Sequence, residues 1–196
     1  MNSICVFCGA RDGSRPVYRD ATVELGRALA REGIELVWGG GHVGLMGTVA
    51  DAVLAAGGRV FGVIPVFMVE RELEHRGATE MLVVDSMHTR KAAMAERAEG
   101  FIALPGGFGT LDELFEIITW GQLHIHRKPI GLLNVDGFYE PLLAMVRHMV
   151  DEGFVKRENL DLFCVGDTPE ALLAAMSTWQ APVDDWVAPP LTSQQG

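Results

Sequence analysis

Short runs of β-branched and aliphatic residues alternate along this chain with longer stretches whose apolar positions recur every three or four residues. Ile4 to Cys8 reads as a first strand. Val17 to Arg31 follows as a helix, with Val17, Ala21, Leu25, Ala28 and Leu29 on one face and Gly33 as its stop. A second strand, Ile34 to Trp38, runs directly into GGGHVGLMG, after which Leu45 to Ala56 is helical and Gly57-Gly58 ends it. Arg59 to Ile64 is a third strand closed by Pro65, and a long loop extends to Thr79. Met81 to Val84 precedes a helix capped by Asp85 or Ser86 and running to Ala98, and Phe101 to Leu104 precedes LPGGFGTLDE and a helix from Leu111 to Gln122. Pro129 to Leu133, a helix from Tyr139 to Val150, a short strand Leu162 to Val165 and a helix opened by Thr168-Pro169-Glu170 complete the series.

Strands that alternate with helices in this way predict an α/β fold, a parallel sheet of about six to seven strands with helices on both faces. One nucleotide-binding domain is expected over residues 1–180, with a frayed tail over 181–196 that contains Pro-Pro and ends Ser-Gln-Gln-Gly.

Charge narrows the choice of partner. The formal net charge of −10 argues against a nucleic acid, whose binding depends on Lys and Arg neutralising phosphates, but a small phosphate ester remains open if cations are gathered locally. No apolar run is long enough to span a bilayer, and MNSICVFCGARDG has neither a basic start nor a cleavage site, so no membrane contact and a cytoplasmic location are expected. Cys5 and Cys8 spell C-x-x-C, but in a strand residues three apart point to opposite faces, which predicts buried core thiols rather than a redox pair.

In an open parallel sheet the ligand collects outside the carboxyl ends of the strands. Two glycine-rich loops, Gly39 to Gly47 and Gly106 to Gly109, both sit between a strand and a helix and therefore on that edge. Gly40, Gly41, Gly44, Met46 and Gly47 are candidates for holding phosphate, with tight turns and close packing as the plain alternative. Gly39, Gly41 and Gly44 fit G-x-G-x-x-G, yet Val63-Ile64-Pro65 offers no carboxylate for a ribose, so an NAD(P)-binding Rossmann protein ranks below a mononucleotide site. No lysine follows either loop in the manner of a P-loop.

The helix MHTRKAAMAER carries Arg90 and Lys91 on the same stripe as Met87, Met94 and Ala98, near a helix N-terminus where positive charge is disfavoured by about 0.3–1 kcal/mol each. An anionic ligand at this edge would resolve both conflicts. Otherwise Arg90 pairs with Asp85 or Glu113 and Lys91 reaches for solvent. Thr110-Leu111-Asp112-Glu113 has the form of a capping box, which would turn Glu113 back onto the Thr110 backbone. Placed at a helix start, Glu113 is expected to stay ionised at neutral pH, and beside a phosphate cradle it suits displacement at a sugar carbon through an oxocarbenium-like transition state.

Taken in order, GGGHVGLMG, Arg71-Glu72-Leu73, MHTRK ending at Lys91 and PGGFGTLDE ending at Glu113, together with ITWGQLHIHRKPIGLLNVDGFY, resemble the LONELY GUY (LOG) family over about Ile4 to Val165. Its members are cytokinin riboside 5′-monophosphate phosphoribohydrolases, long mislabelled lysine decarboxylases. The resemblance implies that Arg90 and Glu113 are catalytic, and that Arg71, Glu72, Lys91, Gly106, Gly107, Phe108, Gly109, Thr110, Leu111, Asp112 and Thr119 bind the nucleotide. It further implies a Rossmann-like homodimer that needs no metal or organic cofactor and cleaves the N-glycosidic bond of a purine riboside 5′-monophosphate. The first loop reads CGAR where many relatives have serines, and Asp112 stands where Glu is common. His124 and His126 lack a third ligand at metal spacing and are expected to be surface or packing residues. A pyridoxal enzyme would need a Schiff-base lysine from Lys91, Lys128 and Lys156, of which Lys91 alone is near the glycine loops. A nucleotide carrier without hydrolysis is the remaining alternative.

Overall fold

The computed structural model describes residues 1–70 and 73–182. In chain order the elements are β1 (Ser3–Phe7), α1 (Pro16–Arg31), β2 (Glu35–Trp38), α2 (Gly44–Ala55), β3 (Val60–Pro65), α3 (Val66–Val69), β4 (Glu80–Val84), α4 (Met87–Arg97), β5 (Gly100–Ala103), α5 (Phe108–Gln122), β6 (Ile130–Leu133), α6 (Glu140–Asp151), β7 (Cys164–Gly166) and α7 (Pro169–Thr178). Among the described residues seven strands form one sheet in the order β4-β3-β2-β1-β5-β6-β7, and every neighbouring pair is parallel. This is the α/β architecture that the alternating pattern predicts.

The two-residue period of a strand divides the core. Ile4, Val6 and Cys8 face one side, where they meet Leu25 and Leu29 of α1, Val49 and Val53 of α2, and Leu172 and Met176 of α7. Cys5 and Phe7 face the other, against Met94 of α4, Leu114 and Ile117 of α5, and Leu143 and Val146 of α6. Cys5 and Cys8 are thus buried on opposite faces, as a strand requires. Burial pushes both thiols up, which removes them from thiolate chemistry.

Helix ends follow their caps. Ser86 accepts the Thr89 amide at 3.1 Å to open α4, and Thr168 accepts from Ala171 at 3.3 Å ahead of Pro169. His126 is a packing residue: its Nε2 lies 2.9 Å from the Ile117 carbonyl, and its Nδ1 accepts the Lys128 amide at 3.1 Å.

Three expectations shift, and one lies mainly outside the described residues. The loop after Pro65 contains the short helix α3. The last strand begins at Cys164, because Arg157–Leu162 winds into a 3-10 turn that buries Leu162. The expected frayed tail falls mainly on 183–196, outside the described residues. Finally, α5 starts at Phe108, not Leu111, with Gly107 extended at the N-cap. Starting there lets Thr110, 4% exposed, turn its side chain into the space beside Gly106, where a Cβ would lie 2.1 Å from its Oγ1. Among the described residues no helix is long and apolar enough to cross a membrane.

Candidate active site

From β1 the chain adds strands outward through β2 to β4, and from β5 outward through β6 to β7, so the strand order reverses between β1 and β5. The carboxyl ends of two such strands part to leave a crevice. Here it is a cavity of about 800 Å³, walled by Cys8 to Gly13 after β1 and Pro105 to Thr110 after β5, with Arg90, Glu113, Met68 and the aromatic pair Tyr18 and Phe138 completing the wall. The Gly9 amide donates to the Pro105 carbonyl at 3.1 Å and fastens the two loops together.

The first turn of α5 opens onto this cavity. Its N-cap, Gly107, has no side chain to offer the leading amides, and helix geometry leaves those N–H groups without acceptors inside the helix. Together with the helix dipole they form a place for an anion. The first turn of α2 differs, because Leu45 gives its N–H to the Gly9 carbonyl at 3.0 Å. The Gly39 to Gly47 loop therefore braces the β1 loop from behind. Gly44 has φ +56, and a Cβ there would lie 2.4 Å from the Ala10 and Arg11 backbone, so only glycine permits the contact. Of the five phosphate candidates in that loop, Met46 lines the cavity; Gly40, Gly41, Gly44 and Gly47 do not.

Two charges of opposite sign meet on the cavity wall. Arg90 comes from the first turn of α4 and Glu113 from α5, with Nη1 and Oε1 4.0 Å apart and both side chains largely buried. Arg90 is anchored by carbonyls at the ends of two strands: Nε donates to Val63 at 3.2 Å and Nη2 to Gly39 at 3.3 Å, while Nη1 lies 3.6 Å from the Met87 sulfur. Those carbonyls answer the unfavourable dipole of α4. Asp85 takes no part, since it accepts from the Thr89 hydroxyl at 2.6 Å.

The capping box does not form. With α5 begun at Phe108, Glu113 is the sixth helical residue, past the turn where a helix dipole acts strongly on charge. Burial dominates instead and pushes its pKa up to about 7, against the pull of Arg90 and with a smaller push from Asp112. The expected fully ionised carboxylate is thus a group poised between its two forms at neutral pH.

Lys91, beside Arg90 in sequence, does not line the cavity. Its ammonium bridges Glu116 at 3.0 Å and Asp112 at 3.3 Å and is only 14% exposed. Burial opposes its charge, but those two carboxylates outweigh burial and raise its pKa. Gly106, Gly107, Phe108, Gly109, Thr110 and Asp112 line the cavity. Leu111, partly buried, packs against the core, and Thr119, exposed on α5, donates to the Phe115 carbonyl at 2.7 Å. Arg71 and Glu72 lie outside the described residues. The segment after them is tied to the glycine loop, with His42 donating to Leu73 at 3.1 Å and His75 to Gly40 at 2.8 Å. Sequence reasoning touches the first loop only through the resemblance, as CGAR in place of serines, and names neither Asp12, Gly13, Tyr18 nor Phe138 for the site. The signal that could have found them is the reversal of strand order, which depends on strand neighbours and not on any motif.

Known proteins match this chain along most of its length. A family profile described as "Possible lysine decarboxylase" covers residues 46–176. The cytokinin riboside 5′-monophosphate phosphoribohydrolase LOG of Oryza sativa subsp. japonica is 48% identical over 176 residues, which is 90% of this chain and 73% of that protein. LOG7 of Arabidopsis thaliana, described by the same activity, is 55% identical over 152 residues, 78% of this chain and 70% of its own length. Among solved structures, a molybdenum cofactor carrier protein from Chlamydomonas reinhardtii superposes with a TM-score of 0.68 at 21% identity, covering 89% of this chain and 95% of that one, a likeness of fold alone. The identities and their coverage show that this chain belongs to the LOG family.

Proposed function

We propose that this protein is a hydrolase that splits the N-glycosidic bond of a purine riboside 5′-monophosphate, such as AMP or an N6-prenylated AMP, into free base and ribose 5-phosphate. The observation that carries the reading is the Arg90–Glu113 pair on the cavity wall, 4.0 Å apart and beside the uncapped start of α5. The α5 amides and Arg90 would hold the phosphate. Glu113 would stand at the ribose, where a carboxylate can stabilise positive charge developing at C1′ or take a proton from the attacking water. Water oxygen bonds to C1′ as the C1′–N bond breaks; that bond's electron pair leaves with the base, which takes up one proton, while the attacking water gives one up. A pKa of about 7 suits a group that must accept a proton at neutral pH. The names carried by the plant relatives support the same reaction.

Pyridoxal-dependent decarboxylation is a poor match. A Schiff base needs a lysine that can give up its proton, and Lys91 is held charged by Glu116 and Asp112.

Chromatography of products after incubation with AMP and isopentenyl-AMP in parallel tests the proposal. Free base and ribose 5-phosphate in equal amounts are expected, and intact nucleotide in both reactions would refute it.

The working form is a homodimer. Leu82, Val83, Met87, Phe108 and Phe115 expose apolar side chains along β4, α4 and α5, and Met87 and Phe108 also border the cavity. A second copy covering part of this area would remove exposed apolar side chains from water. Sedimentation equilibrium at micromolar protein is expected to give twice the 21.3 kDa chain mass, and a single-chain mass would refute the dimer.

A further inference from the structure

We infer that Gly39 is a positioning residue for Arg90: its missing side chain makes the seat in which the guanidinium lies, and its carbonyl fixes how the guanidinium is turned. The inference rests on the role proposed above for Arg90 and adds to the Gly39 carbonyl contact a requirement for glycine itself at that position.

Gly39 directly follows β2, at the carboxyl edge of the sheet. A Cβ built on it would lie 1.6 Å from Nη2 of Arg90, 2.8 Å from Cζ and 3.3 Å from Nε, so the guanidinium occupies the volume that any other residue would fill. Backbone conformation is not the reason for this glycine. Gly40 and Gly44 carry φ of +73 and +56, whereas Gly39 lies outside the positive-φ region and its backbone is open to alanine.

What the seat achieves follows from the donors. Nη2 is held by the Gly39 carbonyl and Nε by the Val63 carbonyl, from two adjacent strands. Both bonds lie along one edge of a rigid planar group, so the plane cannot rotate and Nη1 is left turned toward Glu113. A methyl group at position 39 would lift the guanidinium from both carbonyls and change its distance from Glu113. Displacements of about 1 Å in such a constellation cost on the order of a hundredfold in rate.

The test is a double-mutant cycle with Gly39→Ala and Arg90→Ala, measuring kcat and KM for AMP and the melting temperature. Gly39→Ala alone is expected to remain folded and to lose tenfold or more in kcat/KM. Added to Arg90→Ala it is expected to change neither kcat/KM nor melting temperature, because the side chain it collides with is gone. Equal losses in both backgrounds, or a single variant as active as wild type, would overturn the inference. Should Gly39→Ala prove too unstable to assay, recovery of its melting temperature in the Arg90→Ala background decides the same point, and no recovery overturns it. An inactive wild type would refute the proposed reaction, while the stability cycle would still read the Gly39–Arg90 contact.

Discussion

Glu113→Gln is expected to bind AMP with little change and to release base about 10²- to 10⁴-fold more slowly, the range that a positioned acid or base contributes. The amide keeps the shape of the carboxylate but can neither stabilise a cationic sugar carbon nor accept a proton. Single-turnover release of adenine measures the effect, and undiminished release would remove Glu113 from the mechanism. A second signature follows from its pKa of about 7. If the ionised form is the active one, kcat/KM of the wild type rises with pH and levels off above about 7, and the glutamine variant lacks this limb. Stability moves in the opposite sense. The folded-state pKa lies above the ordinary 4.5, so the fold favours the neutral acid; the cost of ionisation is absent at low pH and grows as pH rises from about 4.5 to about 7. Relative to wild type, Glu113→Gln should gain about 3 kcal/mol in unfolding free energy across that interval, since each pH unit of displacement corresponds to about 1.4 kcal/mol. Chemical denaturation of both proteins at pH 4.5 and 8 measures the difference.

Arg90→Ala is expected to lower kcat/KM for AMP by about 10²- to 10³-fold, the usual cost of removing one preorganised donor, and to affect adenosine far less. The comparison isolates the phosphate, the group that adenosine lacks. Equal hydrolysis of AMP and adenosine by the wild type would defeat the anion-holding role of this edge. The variant also removes the charge that opposes the upward shift of Glu113. Its pH–rate limb should therefore move above 7, which general misfolding would not produce. Arg90→Lys should not restore activity, because a lysine has one nitrogen where the site uses separate donors to Val63 and Gly39.

Much of this molecule could be read from its residues, and the failures share a cause. The alternation of strand and helix is a local property, and it gave the α/β sheet. Arg90 was visible because its charge sits on an apolar stripe near the wrong end of a helix, a conflict that needs no neighbours to detect. Glu113 was visible as a residue but not in its environment: four letters fit a capping box, whereas Thr110 turns inward to fill the space beside Gly106 and the helix starts earlier. The Gly39 to Gly47 loop looked like a phosphate cradle because glycines in a loop are equally suited to admitting a ligand or another stretch of backbone. Gly44 admits the backbone of Ala10 and Arg11. Which of these holds depends on which strands are neighbours, and the adjacency of β1 to β5 spans nearly a hundred residues of sequence that contain no signal for it.

Lys91 has a bearing on how α4 and α5 are aligned. Arg90 and Lys91 are consecutive on one helix, and the carboxylates they meet, Asp112, Glu113 and Glu116, fall within two turns of the other. Sliding α4 along α5 far enough to part Arg90 from Glu113 would also tear Lys91 from both of its partners. The cation that never reaches the cavity thus works as a ratchet pawl, holding the two helices at the notch where acid and guanidinium stand opposite each other.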